Sequence, residues 1–375
     1  MGWSIKLGRL FGVDVKMHFT FLLILVWGAF AYGGDAGPLY GVIVTLSLFT
    51  LVFLHELGHS LAAMTYGIQV RDITLLPIGG VARLERMPEK PVQELVVALA
   101  GPAVNVVLAV GLLPILVVIS LTQSVPFSLG AFGQPGVLGF LTFLFGANVS
   151  LAIFNMIPAF PLDGGRVFRA VLGFFTSYQR ATQIAATVGR ILAIGLGVFA
   201  VFGGQIWLAL IALFIFFVGG QEANAVTARS VLRQAQAGQA MAQNPVALSP
   251  QATVGQVASM MFSTRQDDFV VLDPVNGQFL GVATNGKIMQ AIQGGQWYRH
   301  VSEIMQQARH IPTVTINTTL DEVQDKLSES SSRIAAVYDG LQFRGLITRE
   351  DIYRMVRLLS QSGSNGRRIG WQTSG

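Results

Sequence analysis

Long apolar runs constrain this chain more than any other feature. Met17–Tyr32, Tyr40–Leu54, Leu95–Leu121, Val137–Ile157 and Ile191–Gly219 are nearly devoid of charge. A helix needs roughly 20 such residues to cross a bilayer. Lipid offers no partner to a free backbone amide, so spanning segments must be helical or form a closed barrel. The runs therefore predict a polytopic α-helical membrane domain over residues 1–220. Composition agrees: 52% of residues are hydrophobic and only 12% charged, against about 25% charged in soluble domains.

The last run is ambiguous. Ala181–Gly219 is about twice the length one span needs. Gly203-Gly204-Gln205 near its middle reads as a tight turn, giving a hairpin of two spans and about six spans in all. The alternative is one long tilted span. The basic residues that follow, Arg229 and Arg233, favour the hairpin, with Arg190 near its cytosolic end or turned into the bundle.

Charge between the runs sets the orientation. Lys6, Arg9 and Lys16 precede the first run, and only Asp35 lies in the next gap. Arg71, Arg83, Arg86 and Lys90 follow, then an uncharged gap from Thr122 to Pro135, then Arg166, Arg169 and Arg180. Basic and non-basic gaps alternate, as the positive-inside rule requires. The chain is expected to be a multi-pass protein of the cell membrane with its N-terminus and C-terminal half cytosolic. No small-residue cleavage site follows the first run. The net charge of +5 is accounted for by the cytosolic loops and does not point to nucleic acid. Cysteine is absent, so a metal must be held by His, Asp or Glu.

Against this background "FLHELGHSL", Phe53–Leu61, is out of place. His-Glu-x-x-His on a helix sets both imidazoles on one face, one turn apart, with the Glu beside the open position of a shared metal. Each ionisable group within a bilayer costs several kcal/mol unless paired or hydrated. His55, Glu56 and His59 are hard to explain as filler. Catalytic zinc takes a third protein ligand. Asp163, in "FNMIPAFPLDGGR", is the only acidic residue between Glu94 and Glu222. The second and fourth spans both run inward, so Asp163 sits at the depth of the two His.

These residues resemble the site-2 protease family of intramembrane zinc metalloproteases. The resemblance covers about Met1–Gly220 and rests on His55–His59, on Asn155–Gly165 with its Pro-Leu-Asp-Gly-Gly ending, and on Ala100-Gly101-Pro102 with Asn105. It implies one zinc per chain held by His55, His59 and Asp163, with Glu56 as general base. It also implies cleavage of a transmembrane helix of another membrane protein, with lipid as a further partner. The gap Tyr66–Pro91 is too short for a PDZ-like insertion.

After Gly220 the composition turns polar. Residues 221–240 read as a helical linker, and beyond it lies an internal repeat. "FLGVATNGKI" from Phe279 matches "FRGLITREDI" from Phe343, and Met241 matches Met305 at the same offset. Each copy (about 241–293 and 305–358) alternates short strands with helices, predicting a soluble α/β unit over 241–359; 360–375 reads as a flexible tail. The unit resembles a tandem of cystathionine-β-synthase (CBS) domains. That family implies an adenine nucleotide such as ATP, its ribose held by Asp351 and its phosphate by Thr348. In the first copy Lys287 replaces the Asp, so one nucleotide site is expected. The other reading is a module for homodimerisation or scaffolding without a ligand.

Other residues carry two readings each. Asn155 binds substrate backbone or stabilises an oxyanion, or else makes a helix-packing hydrogen bond. Asn105 and Asn148 read as helix-packing residues, His18 as interfacial, and His300 and His310 as surface residues. Gly67–Met87 looks like short strands, with Val70, Ile73, Leu75, Ile78 and Val81 apolar and Gly79-Gly80 at a turn. Its edge is either a template for an unwound substrate strand or an amphipathic hairpin on the membrane. The competing functional class is a zinc transporter, which leaves Glu56 without a task.

Overall fold

The structure, a computed structural model, describes residues 4–77, 79–85, 87–123, 136–243, 245–264 and 266–364. The chain divides into two compact units, Met1–Asn224 and Ala225–Gly375. Ile78, Arg86 and most of the uncharged Thr122–Pro135 gap lie outside the described residues.

The first unit opens with strands β1 (Ser4–Leu10) and β2 (Val13–His18), followed by helices α1 (Phe21–Ala31) and α2 (Pro38–Thr65). Strands β3 (Val70–Leu76) and β4 (Gly79–Leu84) come next. Helices α3 (Pro91–Gln123), α4 (Val137–Asn155), α5 (Asp163–Gly173), α6 (Tyr178–Phe202) and α7 (Ile206–Gln234) complete the set. Among the described residues, α2, α3, α4, α6 and α7 are long and apolar enough to cross a membrane. Valines and phenylalanines such as Val107, Val110, Phe199 and Phe202 face outward on them, as lipid contact requires.

The first run, Met17–Tyr32, is not a full span. Its helix α1 has 11 residues, about 16 Å at 1.5 Å per residue, half of a roughly 30 Å hydrocarbon core. Met17 and His18 belong to β2, and Met17 packs on Phe21, Phe49 and Leu75. The end of the strand and the turn after it, Met17–Thr20, thus lengthened the run without lengthening the helix. The final run is a hairpin: α6 ends at Phe202, Gly204 takes φ +65°, and α7 begins at Ile206. Arg190 is exposed, with its guanidinium lying along α7 at Gly220.

The four strands form one sheet in the order β1-β2-β3-β4, with β2–β3 parallel and the other pairs antiparallel. Val13 and Ile73 from the sheet pack on Leu57 of α2, fixing the sheet against the helix that bears the His-Glu-x-x-His pattern. Asp72 is buried in the sheet and takes Lys16 Nζ at 2.8 Å and Arg83 Nη2 at 2.6 Å. Burial pushes its carboxyl up, but hydrogen bonds from Arg83, Lys16 and Thr74 outweigh it and hold the group at about 2.

The second unit contains α8 (Ala237–Ala240), β5 (Ala242–Gln243), β6 (Ala247–Leu248), α9 (Val254–Thr264), β7 (Phe269–Leu272), β8 (Phe279–Ala283), α10 (Asn285–Gln293) and α11 (Val301–Ile304). Then come β9 (Gln306–Gln307), β10 (Thr313–Thr315), α12 (Leu320–Glu329), β11 (Ile334–Asp339), β12 (Gln342–Thr348) and α13 (Arg349–Ser364). The copies exchange short strands: one sheet runs β10-β11-β12-β5 and the other β6-β7-β8-β9. Phe279 and Phe343, which open the two matched segments, stack face to face with centroids 4.5 Å apart. Val270 and Val282 from one copy and Ile334, Ala336 and Leu346 from the other share a core around them.

Candidate metal centre

The centre is built on α2. This helix is uninterrupted from Pro38 to Thr65, so His55 and His59 stand one turn apart on one buried face. Gly58 permits that face to approach α3 closely: a Cβ there would lie 2.8 Å from Ala100 O and from Val104 Cγ2. Gly101 of α3 makes room for the His59 ring itself, since a Cβ at 101 would stand 2.6 Å from its Cε1 and 2.7 Å from its Cδ2.

Asp163 reaches the same place from the first turn of α5. The chain before α5 folds back tightly: a Cβ on Gly164 would strike the backbone of Met156 and Ile157, and one on Gly165 would meet Phe160 N at 2.6 Å. The two glycines after Asp163 are therefore a packing requirement. Asp163 Oδ2 lies 3.1 Å from His55 Nε2 and 3.0 Å from His59 Nε2, and the two Nε2 atoms are 3.1 Å apart. In a tetrahedron with 2.0–2.1 Å bonds, ligand atoms sit about 3.3 Å apart, close to these spacings. All three residues are buried.

The donor chemistry fits a cation. His59 Nδ1 is 2.7 Å from the backbone carbonyl of Val97. A carbonyl only accepts, so Nδ1 carries the proton and Nε2 presents a bare lone pair. His55 Nδ1 likewise faces an oxygen, Asn105 Oδ1, at 2.6 Å. With each ring neutral and protonated on Nδ1, two Nε2 lone pairs and a carboxylate oxygen converge on one point. The ring nitrogen away from the convergence point is hydrogen-bonded in both cases, as in metal-binding histidines. Asp163 Oδ1 is turned to Arg166 Nη1 at 4.0 Å.

Glu56 is half-buried beside the pair and lies against β4: a Cβ on Gly80 would sit 2.7 Å from Glu56 Cγ. β4 is the edge strand of its sheet. Gly79 precedes Gly80 with φ +137°, a conformation suited to glycine. Asn155 ends α4, and its Nδ2 donates to Leu151 O at 3.0 Å, a bond within its own helix.

A second buried cluster escaped the sequence reading. Arg169 of α5 is 1% exposed, with Nη2 2.6 Å from Glu94 Oε1 and Nη1 3.0 Å from Glu222 Oε1. Its guanidinium lies 4.8 Å from the centroids of both Phe160 and Tyr178. Arg169 thus clamps α5 to α3 and to the Phe160 loop that leads into Asp163. In sequence it reads as one more basic residue in a cytosolic gap, and nothing there signals its burial.

In the second unit, Thr348 and Asp351 form a reciprocal cap on α13. Thr348 N and Oγ1 donate to Asp351 Oδ2 at 3.0 and 2.8 Å, and Asp351 N donates to Thr348 Oγ1 at 3.1 Å. Asp351 Oδ1 faces Arg354 Nη1 at 3.7 Å. His300 and His310 are exposed, and His18 Nδ1 pairs with Thr20 Oγ1 at 2.7 Å.

Residues 43–196 match the family model for peptidase family M50, and residues 301–357 that for the CBS domain. A zinc metalloprotease of Methanocaldococcus jannaschii is 30% identical over 359 residues, 96% of this chain and 98% of that one. Stage IV sporulation protein FB of Bacillus subtilis is 26% identical over 172 residues, 46% of this chain and 54% of that one. Among solved structures, a site-2 protease from M. jannaschii is 35% identical, with a TM-score of 0.43, covering 59% of this chain and 95% of its own.

Proposed function

This chain belongs to peptidase family M50, the site-2 proteases, joined to a CBS module, and is a zinc metalloprotease of the membrane; from that premise we propose that it hydrolyses a peptide bond in or near a transmembrane helix of another membrane protein. The observation that carries the reading is the convergence of His55, His59 and Asp163 beside Glu56, with both His and Glu56 on α2, a helix apolar enough to span a bilayer, and Asp163 on the short α5.

His55, His59 and Asp163 are the proposed ligands of one zinc. Zinc held there would supply Lewis acidity toward a carbonyl oxygen and acidify a bound water. Glu56 takes the proton of the attacking water and returns it to the leaving amine. A helical substrate must be unwound before its backbone is reachable. The free edge of β4 offers main-chain pairing to such an extended segment, and Gly79-Gly80 brings that edge against Glu56. Asn155 is proposed to contact the substrate backbone or a developing oxyanion through Oδ1 and the second Nδ2 hydrogen, the first being given to Leu151 O.

The basic loops support an N-terminus and a CBS module in the cytosol. An adenine nucleotide at the module would use Thr348 and Asp351. It would compete with their mutual cap for Oδ2, or meet Oδ1 on the side facing Arg354. Self-association through the CBS pair belongs to the same proposal.

The test compares whole-membrane proteomes of cells carrying the wild type or Glu56→Gln. The expected result is one or a few single-span proteins accumulating uncut in the variant, with their cytosolic fragments lost. Unchanged membrane proteins together with a shifted cellular zinc distribution would replace protease by transporter.

A further inference from the structure

Asn105 and Asn148 do more than hold helices together. The pair forms an unbroken chain from a backbone carbonyl to the metal centre, and the polarity of every link is fixed by the first. Asn148 Nδ2 lies 2.8 Å from Leu144 O on α4. A carbonyl oxygen accepts and never donates, so the NH2 end of Asn148 must face it. Its Oδ1 then faces α3 and receives Asn105 Nδ2 at 2.9 Å. That turns Asn105 Oδ1 toward α2, where it stands 2.6 Å from His55 Nδ1. Asn105 and Asn148 are both fully buried, so no water substitutes for any link.

We infer that this relay selects the tautomer of His55, placing its proton on Nδ1 and baring Nε2, and that Asn105 and Asn148 are positioning residues of the metal centre. The inference rests on the metal reading above. A neutral imidazole has two tautomers, and the wrong one points Nε2–H at Asp163 Oδ2, 3.1 Å away. The two side chains would then close on one another and leave no ligand pair for a cation. His59 meets the same requirement differently, through the backbone carbonyl of Val97. At His55 the lock is made of side chains, so it can be altered by substitution.

Each amide carries donor and acceptor at opposite tips, so a relay and a packing role predict different orders of variants. A protonated Asp reproduces the Asn pattern, O–H one way and C=O the other. Leu matches the volume and suits an apolar bundle but transmits no polarity. Zinc affinity of the purified full-length protein is measured by competition with a chromophoric chelator, with thermal unfolding alongside, for the wild type and for Asn105→Asp, Asn105→Leu, Asn148→Asp and Asn148→Leu. Changing a hydrogen-bond partner of a metal-binding His weakens affinity about 10–100-fold.

The expected result is that loss for Asn105→Leu and a several-fold loss for Asn148→Leu, which touches no ligand, while both Asp variants stay near wild type. Leu variants that fold and bind zinc as the wild type does would overturn the relay, as would equal losses in Asp and Leu at position 148. Should Asn105 variants fail to fold, the Asn148 pair decides alone. A wild type that binds no zinc, or binds it equally well as His55→Ala, defeats the metal centre itself and is distinguishable from failure of the relay.

Discussion

Gly101→Ala is a single-methyl test of the metal centre. The new Cβ would stand 2.6 Å from Cε1 and 2.7 Å from Cδ2 of His59, whereas ordinary contacts begin near 3.4 Å. The ligand atom Nε2 is closer still, so the ring must withdraw by about 1.2 Å. It has nowhere to go without breaking either its 2.7 Å bond to Val97 O or its approach to Asp163. Metal–ligand distances tolerate about 0.2 Å, so the shift removes His59 as a ligand. A displacement of about 1 Å costs roughly 100-fold in rate, and overpacking a buried position costs about 1–3 kcal/mol in stability. Gly101→Ala is expected to lose zinc in an equilibrium chelator assay and to lose proteolysis at least 100-fold, with a small drop in unfolding temperature. Gly111→Ala is the control. It lies on the same helix with nothing within 4 Å of its added Cβ, and Ala is about 1 kcal/mol better than Gly in a helix interior. Wild-type zinc affinity in Gly101→Ala, or equal losses in both variants, would show that contact between Gly101 and His59 does not hold the ligand in place.

Gly80→Ala puts a methyl 2.7 Å from Glu56 Cγ and touches no metal ligand; proteolysis falls while zinc content stays at one per chain, a split that metal analysis and a cleavage assay read together. Arg169→Met strips the cation from between Glu94 and Glu222, and breaking a buried pair costs about 3–5 kcal/mol. Its unfolding temperature should drop sharply, with partial recovery in Arg169→Met/Glu94→Gln; an unshifted melt would show the cluster to be inert. Asp72 titrates at about 2, below its ordinary 3.8, so its contribution, about 2 kcal/mol, is present above pH 4 and lost as pH falls toward 2. Asp72→Asn should therefore be less stable than the wild type at pH 7, with the gap narrowing between pH 4 and pH 2; a gap independent of pH would contradict the ion-pair account.

Legibility in the sequence followed physical range. His55 and His59 share a face because helical periodicity is local, and Asp163 could be set at their depth from the alternation of charged loops. The hairpin at Gly203-Gly204 was readable because a bilayer limits span length. The shortness of α1 was not, since Met17 of strand β2 and the Phe19-Thr20 turn merge with the helix in a hydropathy profile. The exchanged strands β5 and β9 are two residues long and have no pattern to find. Gly101 and the relay through Asn105 and Asn148 depend on which helices touch, and half of that relay's logic comes from a backbone carbonyl, which no residue letter encodes. The burial of Arg169 was hidden for the same reason: Glu94 and Glu222 come to it from distant parts of the chain.

The account turns on whether a bond inside a membrane segment is cut by this centre. The purified full-length protein should be reconstituted in vesicles with the membrane protein that accumulates in the Glu56→Gln cells, and the products located by mass spectrometry. The account predicts cleavage in or near the transmembrane helix by the wild type, lost on chelation and restored by zinc, and absent with Glu56→Gln in spite of bound zinc. Cleavage by Glu56→Gln at the wild-type rate, or cleavage indifferent to zinc removal, would contradict it.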